Sequence, residues 1–370
     1  MELIPISQYN FLYFYFLLLI VFLVFVNSKS VDLDSKSNIN SSNAIGVFLV
    51  LFLLVYMGMR PINSVFGDMT VYNLILIAFQ NGDKPAYIKD ILFEYLMFQF
   101  SKVNNNNLFF FFISFLYIVP VYLGCKKIFK EYWFYGFFIF ISTLTYWAYG
   151  TNGLRSGMAS SIFFYGIVCD NKILRYIIVF MTCFIHQSMF LPAMAFVISS
   201  NYKSEKLFFY FWILAIPFSF VLGKSIENFF ISLGIGNSEM VASYLGEADE
   251  NEALEIIVGF RWDFILYSAT AVYSAYYFIH KRKFRDNFYN YLVNIYLITN
   301  GFWILIIRAN FSNRFVYLSW FMMGIIIVYP FLKFNFFNKQ HEVLSKILVA
   351  FVFFSYLFNV VFFKGGVVTN

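Results

Sequence analysis

Long apolar runs recur along this chain, and they constrain its fold more than any other feature. Each run has about 17–25 residues, the length that an α-helix needs to cross a bilayer. Hydrophobic residues make up 61% of the chain and charged residues 12%, against about 45–50% and 25% in soluble domains. We therefore predict an all-α polytopic membrane protein with about 10–12 transmembrane helices, organised as a single integral membrane domain over 1–370. The predicted spans are 10–26, 44–59, 107–124, 132–149, 154–170, 207–222, 262–280, 288–307, 315–332 and 346–363.

One further apolar stretch, 173–199, contains His186 and Pro192. As a helix it reaches about 40 Å, too short for two full crossings. If it crosses an even number of times, the lysine-rich loops share one side, as the positive-inside rule requires. A single long helix would move all later loops to the opposite side, so the lysine-rich loops would be divided between the two sides of the membrane. We therefore predict a broken or re-entrant pair near 173–199, of the kind that lines cavities.

The same charge balance assigns sides to the loops. Glu2 precedes the first apolar run, and Lys29 and Lys36 follow it, so we interpret this run as a retained anchor with its N-terminus outside. The outer side then carries an external amphipathic segment, 60–106, and an external acidic loop, 223–261. It also collects arginines on the side that insertion disfavours: Arg60, Arg155, Arg261, Arg308 and Arg314.

Arginine on that face has two interpretations. A guanidinium grips phosphate bidentately and stays charged when partly buried, which indicates a lipid-linked phosphate or pyrophosphate. Alternatively, each arginine snorkels to lipid headgroups. The sequence has no basic stripe with interleaved aromatic residues, so nucleic acid is not predicted as a partner.

Other ionisable residues near the same face are candidates for proton transfer. His186 lies within an apolar run and titrates near neutrality when unperturbed, although such a histidine also serves to bond a neighbouring helix. Asp68 is a candidate base or a helix N-cap, and Glu94 interrupts an apolar helix. Asp263 follows Arg261 closely enough for a local ion pair. The sequence shows no zinc spacing, Gly-rich phosphate loop or Ser–His–Asp order, which favours a reaction without metal or cofactor.

Several ordered motifs resemble the EpsG/Wzy-type polysaccharide polymerases. The stretches MRPINSVFGDMTVY and LFEYLMFQFSK are similar to that family's Arg…Gly-Asp…Tyr and Glu-led segments. TNGLRSGMASS and, about 30 residues later, FIHQSMFLP resemble its N-x-x-R-Q-x-x-A and H-x-S-A patterns, with Ser156 and Met189 as departures. RANFSNRFVYL resembles its late Arg…Tyr ending, through Arg314 and Tyr317.

The resemblance implies a membrane glycosyltransferase of the bacterial cytoplasmic membrane. It would join undecaprenyl-pyrophosphate-linked oligosaccharide repeat units on the outer face, with inversion and without a metal or cofactor. On this hypothesis the catalytic residues are Arg155, His186, Asp68 and Glu94, the last three being alternative bases. The substrate-binding residues are Arg60, Asn152, Arg261, Asp263, Arg308, Arg314 and Tyr317.

The sequence leaves alternatives open for one loop and for the reaction class. Loop 223–261 is interpreted as a lid, as a contact for a chain-length regulator, or as a solvated face without a specific role. A flippase for lipid-linked oligosaccharides would also need a cationic cavity, but one whose charges extend through the bilayer. Here the ionisable residues cluster on one face and no internal repeat relates the two halves, so the polymerase is the first hypothesis.

Overall fold

The computed structural model describes residues 4–232, 260–308 and 313–362, and within these ranges the chain is helical without any β-strand. Most of the predicted acidic loop, 233–259, lies outside the described residues. The α-helices are α1 Tyr9–Asn27, α2 Lys36–Gly58, α3 Met69–Gln80, α4 Ile91–Ser101, α5 Asn106–Phe129, α6 Trp133–Ile141, α7 Leu144–Thr151, α8 Leu154–Ile167, α9 Lys172–Ile185, α10 Phe190–Asn201, α11 Glu205–Ser232, α12 Trp262–Tyr276, α13 Asn287–Leu305, α14 Asn313–Lys333 and α15 Gln340–Tyr356.

Five helical segments of the described chain are long and apolar enough to cross a membrane. They agree in type and place with predicted spans, and the protein is a polytopic all-α membrane protein. The remaining predicted spans are also helical, although several are shorter or interrupted. The five segments are Ile6–Asn27, Lys36–Gly58, Asn106–Ile141, Arg314–Lys333 and Gln340–Val361.

The prediction of one continuous span over 132–149 is wrong. α6 ends at Ile141 and α7 begins at Leu144, because Thr143 adopts an extended backbone. The hydroxyls of Ser142 and Thr143 donate back to carbonyl oxygens of α6, at 2.7 and 2.8 Å. The same two carbonyl oxygens, of Phe138 and Phe140, also accept the backbone N–H groups of Ser142 and Thr143, so the hydroxyls add local side-chain bonds at the point where α6 ends.

The predicted break within 173–199 is confirmed. α9 ends at Ile185, and His186 is extended with φ −151° and ψ 124°. A single 3₁₀ turn, Gln187–Met189, then leads into α10. Pro192 falls in the first turn of α10, where a missing N–H costs no helical hydrogen bond.

The chain divides into two compact units. In the first, Met1–Ala193 with Val328–Asn370, α5 packs against α2, α6 and α8, while α9 packs on both α8 and α4. Because α8 and α9 follow one another as a hairpin, the start of α8 and the end of α9 meet at the same end of the pair. This places the two strongest motifs of the sequence beside each other.

The second unit, Met194–Ile327, is tied together by a buried polar centre. Asn300 on α13 accepts a hydrogen bond from the indole of Trp212 on α11 at 2.7 Å. Its amide nitrogen donates to Ser268 on α12 and to Ser319 on α14, at 3.0 and 2.9 Å. One asparagine thus links four helices, and its buried polar groups are satisfied where water is absent.

Candidate active site

Three segments of the first unit converge on one carboxylate, that of Asp90, directly before α4. The Asp90 Oδ2 atom accepts a hydrogen bond from Arg155 Nη1 at 2.6 Å and lies 3.1 Å from His186 Nδ1. Its Oδ1 atom accepts from the backbone N–H of Gln187 at 2.9 Å. We call Asp90, Arg155, His186 and the Gln187 N–H the Asp90 cluster. It joins the start of α4, the start of α8 and the break after α9.

The Asp90 carboxylate favours its ionised form although it is buried. Only 7% of the Asp90 side chain is exposed. Burial opposes ionisation most strongly, but the hydrogen bond and charge of His186, the charge of Arg155 and the Gln187 N–H together lower the pKa of Asp90 below its ordinary value of 3.8. Because several donors face one carboxylate, the charged form is the stable one.

Asp90 occupies the N-cap position of α4 but does not cap that helix. Its backbone is left-handed, with φ 50° and ψ 43°, and its side chain makes no capping hydrogen bond. Tyr87, three residues earlier, also has a positive φ of 51°. Left-handed backbone is costly for bulky residues and persists only where surrounding contacts enforce it, often at functional sites.

Glu94 makes contacts that hold this loop in place. Its two carboxylate oxygens accept hydrogen bonds from the backbone N–H groups of Ala86 and Tyr87, each at 2.8 Å. These bonds tie the first turn of α4 to the loop that carries Asp90. The structure therefore places Glu94, a predicted base, in a positioning contact next to the Asp90 cluster.

Asp68 reaches the cluster through Tyr72. The Tyr72 hydroxyl donates to Asp68 Oδ2 at 3.2 Å, and the Arg155 guanidinium lies over the Tyr72 ring, 5.4 Å from its centroid. Asp68 stands at the N-cap position of α3, yet its side chain makes no capping bond. The alternative of a simple side-chain cap is therefore wrong for this residue.

Asn152 binds the loop before α3 to the corner before α8. Its Oδ1 atom accepts from the backbone N–H of Asp68 at 3.1 Å. The neighbouring Gly67 has φ +59°, and a Cβ there would lie 2.0 Å from the same oxygen. Only glycine suits this position, because both its backbone conformation and the close contact exclude a side chain.

Arg60 is a buried residue that also contacts the corner before α8. It is only 2% exposed, and its guanidinium donates to the carbonyl oxygens of Met57 and Thr151. Burial lowers the pKa of Arg60 to about 10, so the side chain remains charged near neutrality. Both acceptors lie in the last turns of α2 and α7, where helix dipoles favour a cation. This geometry places Arg60 in scaffold contacts and away from open surface.

The remaining predicted binding residues lie in the second unit. Arg261 and Asp263 form a bidentate pair with N–O distances of 2.9 and 2.6 Å, which is the local ion pair weighed as the alternative. Arg308 is exposed, and its guanidinium lies 5.0 Å from the Phe220 ring centroid. Arg314 is also exposed, and Tyr317 stacks on Trp320 with ring centroids 5.6 Å apart.

Asp90 and Tyr72 are the site residues that sequence reasoning missed. Asp90 directly precedes an apolar helix, and in one dimension this is the ordinary pattern of an N-cap. Tyr72 is one of 28 tyrosines, so its type carries no signal. A usable signal existed in the order of the motifs, because Asp90 stands between two segments that both predict a site.

The described residues contain no group of three or more His, Cys, Asp and Glu side chains arranged to hold a metal ion. The Asp90 cluster instead combines a carboxylate, an imidazole and a guanidinium. A carboxylate that holds one imidazole nitrogen fixes the tautomer and leaves the other nitrogen for proton transfer. The adjacent guanidinium suits an anion.

The fold is that of a polytopic all-α membrane protein, and its first unit brings a carboxylate, an imidazole and a guanidinium together in the Asp90 cluster. The EpsG family model matches residues 43–368, which is most of the chain, and the protein belongs to the EpsG family. The match confirms the resemblance that the motifs indicated, and it indicates a polysaccharide polymerase-like role. No curated protein and no solved structure matches the chain.

Proposed function

We propose that this protein is a membrane glycosyltransferase that polymerises undecaprenyl-pyrophosphate-linked oligosaccharide repeat units on the outer face of the cytoplasmic membrane. The observation that carries the proposal is the convergence of Arg155 and His186 on Asp90. Membership of the EpsG family supports the reaction class. The reaction requires neutralisation of a departing pyrophosphate and removal of a hydroxyl proton, and the Asp90 cluster offers a group for each.

His186 is the proposed general base. With Nδ1–H directed at Asp90, the free lone pair of the neutral imidazole lies on Nε2, which has no hydrogen-bond partner within the described chain. About a quarter of the side chain is exposed, 24%, so an acceptor hydroxyl can approach it. Asp90 stabilises the imidazolium that forms, and general-base catalysis of this kind contributes about 10²–10⁴-fold to rates.

In the proposed transfer, the acceptor hydroxyl oxygen attacks the anomeric carbon of the donor sugar from the face opposite the pyrophosphate. The carbon–oxygen bond to pyrophosphate breaks, and its electron pair leaves with the pyrophosphate. The hydroxyl proton moves to His186 Nε2. The anomeric configuration is therefore inverted.

Arg155 is the proposed pyrophosphate contact. Its Nη1 is committed to Asp90, while 36% of its side chain remains exposed. A guanidinium fixed by one partner is preorganised for a second anion, and such preorganised charge is worth more than a mobile one. The bond to a buried aspartate also argues against simple snorkelling, which requires the head group to lie in water.

The other predicted residues take supporting roles in this proposal. Arg60, Asn152 and Glu94 hold the loops that carry the Asp90 cluster, as their contacts indicate. Asp68 orients Tyr72 beneath Arg155. Binding of substrate by Arg261, Asp263, Arg308, Arg314 and Tyr317 stays a prediction.

The test is reconstitution of the purified protein with a defined lipid-pyrophosphate repeat unit. We expect the parent protein to produce a ladder of chain lengths, and Arg155→Ala to leave single repeat units at normal protein levels. Arg175→Ala is the matched control and should leave the ladder unchanged, because among the described residues that guanidinium donates only to the Cys169 carbonyl oxygen, at 2.9 and 2.6 Å.

Two outcomes contradict the proposal. A normal ladder from Arg155→Ala removes Arg155 from the mechanism. Transbilayer movement of a fluorescent lipid-linked sugar by the parent protein, without any polymer, identifies a flippase instead.

A further inference from the structure

One end of the second unit carries exposed aromatic rings and an arginine. α11 and α13 run parallel, because Asn290 donates to Glu205 at their starts and Trp212 donates to Asn300 further along. The same register brings Arg308, three residues after α13, to the level of residue 220 on α11. α12 runs in the opposite direction, so its start lies at this end too. Three helices thus contribute to one surface.

The aromatic part of this surface consists of Phe220, Phe260 and Trp262. The rings of Phe220 and Phe260 stack with centroids 4.4 Å apart, and the Phe260 ring lies 4.5 Å from that of Trp262. Phe220 is 46% exposed and Trp262 is 53% exposed. Uncovered rings at the ends of membrane helices form belts at the level of the lipid headgroups. We call these three residues and Arg308 the Arg308 surface.

Arg308 is an exposed cation that lies against these rings. Its guanidinium carbon is 5.0 Å from the Phe220 centroid and 5.9 Å from the Phe260 centroid, within the range of cation–π contact. It forms no ion pair with any residue in the described ranges. A ring covers the face of a guanidinium and leaves the in-plane N–H donors open to an anion. Arg308 therefore combines an unpaired charge with available donors.

Arg261, directly before α12, differs from Arg308 in this respect. Its guanidinium makes two hydrogen bonds to the Asp263 carboxylate, at 2.9 and 2.6 Å, and lies 3.6 Å from the Phe264 ring centroid. The charge of Arg261 is therefore balanced by a neighbour and attracts a further anion only weakly. Among the described residues at this end, Arg308 supplies the unbalanced positive charge.

The opposite end of the unit indicates which side of the membrane this surface faces. Lys206 at the start of α11, and Lys281 and Lys283 beyond α12, are all exposed. The positive-inside rule assigns a lysine-rich end to the cytoplasm. The Arg308 surface then lies at the headgroup level of the outer leaflet, where lipid phosphates are within reach of an interfacial arginine.

We infer that the Arg308 surface binds an anionic membrane lipid, whose headgroup phosphate accepts hydrogen bonds from Arg308 and whose glycerol and first acyl carbons pack on Phe220 and Trp262. A phosphodiester carries a single negative charge, which one unpaired guanidinium balances, whereas a pyrophosphate carries more. The ammonium group of a zwitterionic headgroup competes for the same phosphate, so a headgroup without its own cation is preferred. This inference goes beyond the proposed function, and it gives Arg308 a different partner from the predicted lipid-linked substrate.

The experiment measures binding of two short-chain probes, phosphatidylglycerol and phosphatidylcholine, to the purified full-length protein in a neutral detergent. We expect the parent to bind phosphatidylglycerol about fivefold more tightly, which is the effect of one arginine near an anionic lipid. Arg308→Gln should bind both probes equally, because the amide carries no charge. Arg308 is exposed, so this variant should fold normally, and its melting temperature checks that.

Two further variants separate the charge from the rings. The double variant Arg261→Gln with Asp263→Asn is the matched control, because it removes the neighbouring ion pair without changing the net charge. It should keep the preference for phosphatidylglycerol. Trp262→Ala should weaken both probes alike and leave their ratio unchanged, because it removes apolar contact only.

Three outcomes overturn the inference. An unchanged preference in Arg308→Gln shows that the anionic lipid binds elsewhere. If undecaprenyl phosphate binds the parent about tenfold more tightly than phosphatidylglycerol and loses that advantage in Arg308→Gln, the surface holds the carrier lipid of the substrate. If inorganic phosphate displaces phosphatidylglycerol at equal concentration, the surface binds a free anion. Because binding is measured, these outcomes do not depend on whether the protein polymerises.

Discussion

Two histidines of the first unit each join distant segments of the chain, and their surroundings differ in one decisive respect. His186 contacts a buried carboxylate with Nδ1 and leaves Nε2 open at a side chain that is 24% exposed. His341, at the start of α15, is only 3% exposed. Its Nδ1 lies 2.6 Å from the Val31 carbonyl oxygen and its Nε2 lies 2.9 Å from the Tyr135 hydroxyl.

The partners around His341 are neutral and mutually satisfied. Tyr135 contacts Asn38 Oδ1 at 3.0 Å, and the Asn38 amide nitrogen donates to the Leu33 carbonyl oxygen at 2.9 Å. Together they fasten the loop between α1 and α2 to α6 and α15. Both ring nitrogens of His341 are occupied, so this histidine has no position at which a substrate proton can be received.

The residue type alone therefore does not make a site. A histidine between helices becomes a candidate base when a carboxylate holds one nitrogen and the other remains accessible. When both nitrogens are bonded in a dry interior, the same side chain fastens helices together.

The largest expected effect is that of Asp90→Asn, which keeps the shape of the side chain and removes its charge. Polymerisation should fall by about 10²–10⁴-fold, because the imidazole loses its tautomer and its counter-charge. The initial rate of ladder formation measures this. Asp170→Asn is the control, since the Asp170 side chain is 91% exposed and, in the part of the chain that the structure describes, pairs only with Lys127. Full activity of Asp90→Asn would show that the carboxylate is not part of the mechanism.

The same substitution should have different effects at the two histidines. His186→Gln should reduce the rate by about 10²-fold or more with little change in melting temperature. His341→Gln should leave the rate per folded molecule unchanged, while the free energy of unfolding falls by about 1–3 kcal/mol. Tm and initial rate are measured on the same preparations. Equal rate losses in both variants would show that the two histidines do not differ in role.

Glu94→Gln should have an intermediate effect. Glutamine keeps one carbonyl oxygen for the N–H groups of Ala86 and Tyr87 and loses the second. We expect about a tenfold lower rate, through weaker positioning of Asp90, and an unchanged inverted product. A loss as large as that of Asp90→Asn identifies Glu94 as the base and overturns its positioning role.

The smallest effect is a pH dependence of stability. The native contacts lower the pKa of Asp90 below 3.8, so their stabilisation is fully present above the unfolded-state pKa and disappears as pH falls through the native value. The parent should therefore have a higher Tm than Asp90→Asn at pH 6, and the difference should shrink below about pH 4. A constant difference down to pH 3 contradicts this sign.

Much of the site followed from local pattern. TNGLR and FIHQS stand about 30 residues apart, and two helices of about 20 Å between them bring their ends together. Arg155 and His186 were therefore predictable. Asp68 and Glu94 were also singled out as bases, and Arg60 and Asn152 as substrate contacts. Their contacts within the fold were not predictable, because a carboxylate that clamps a loop and one that removes a proton look alike in sequence.

The sequence by itself determined that this protein folds in a membrane and where one of its helical stretches is interrupted. Apolar runs require helices in a bilayer, and His186 marks the interruption of 173–199 because a polar residue beside a proline-containing run disfavours a continuous span. Only the tertiary structure decided that Asp90 is the centre, since its partners lie 65 and 96 residues away. Local pattern contains no information about such contacts. They arise when α4, α8 and α9 pack, and when desolvation leaves one carboxylate with three donors.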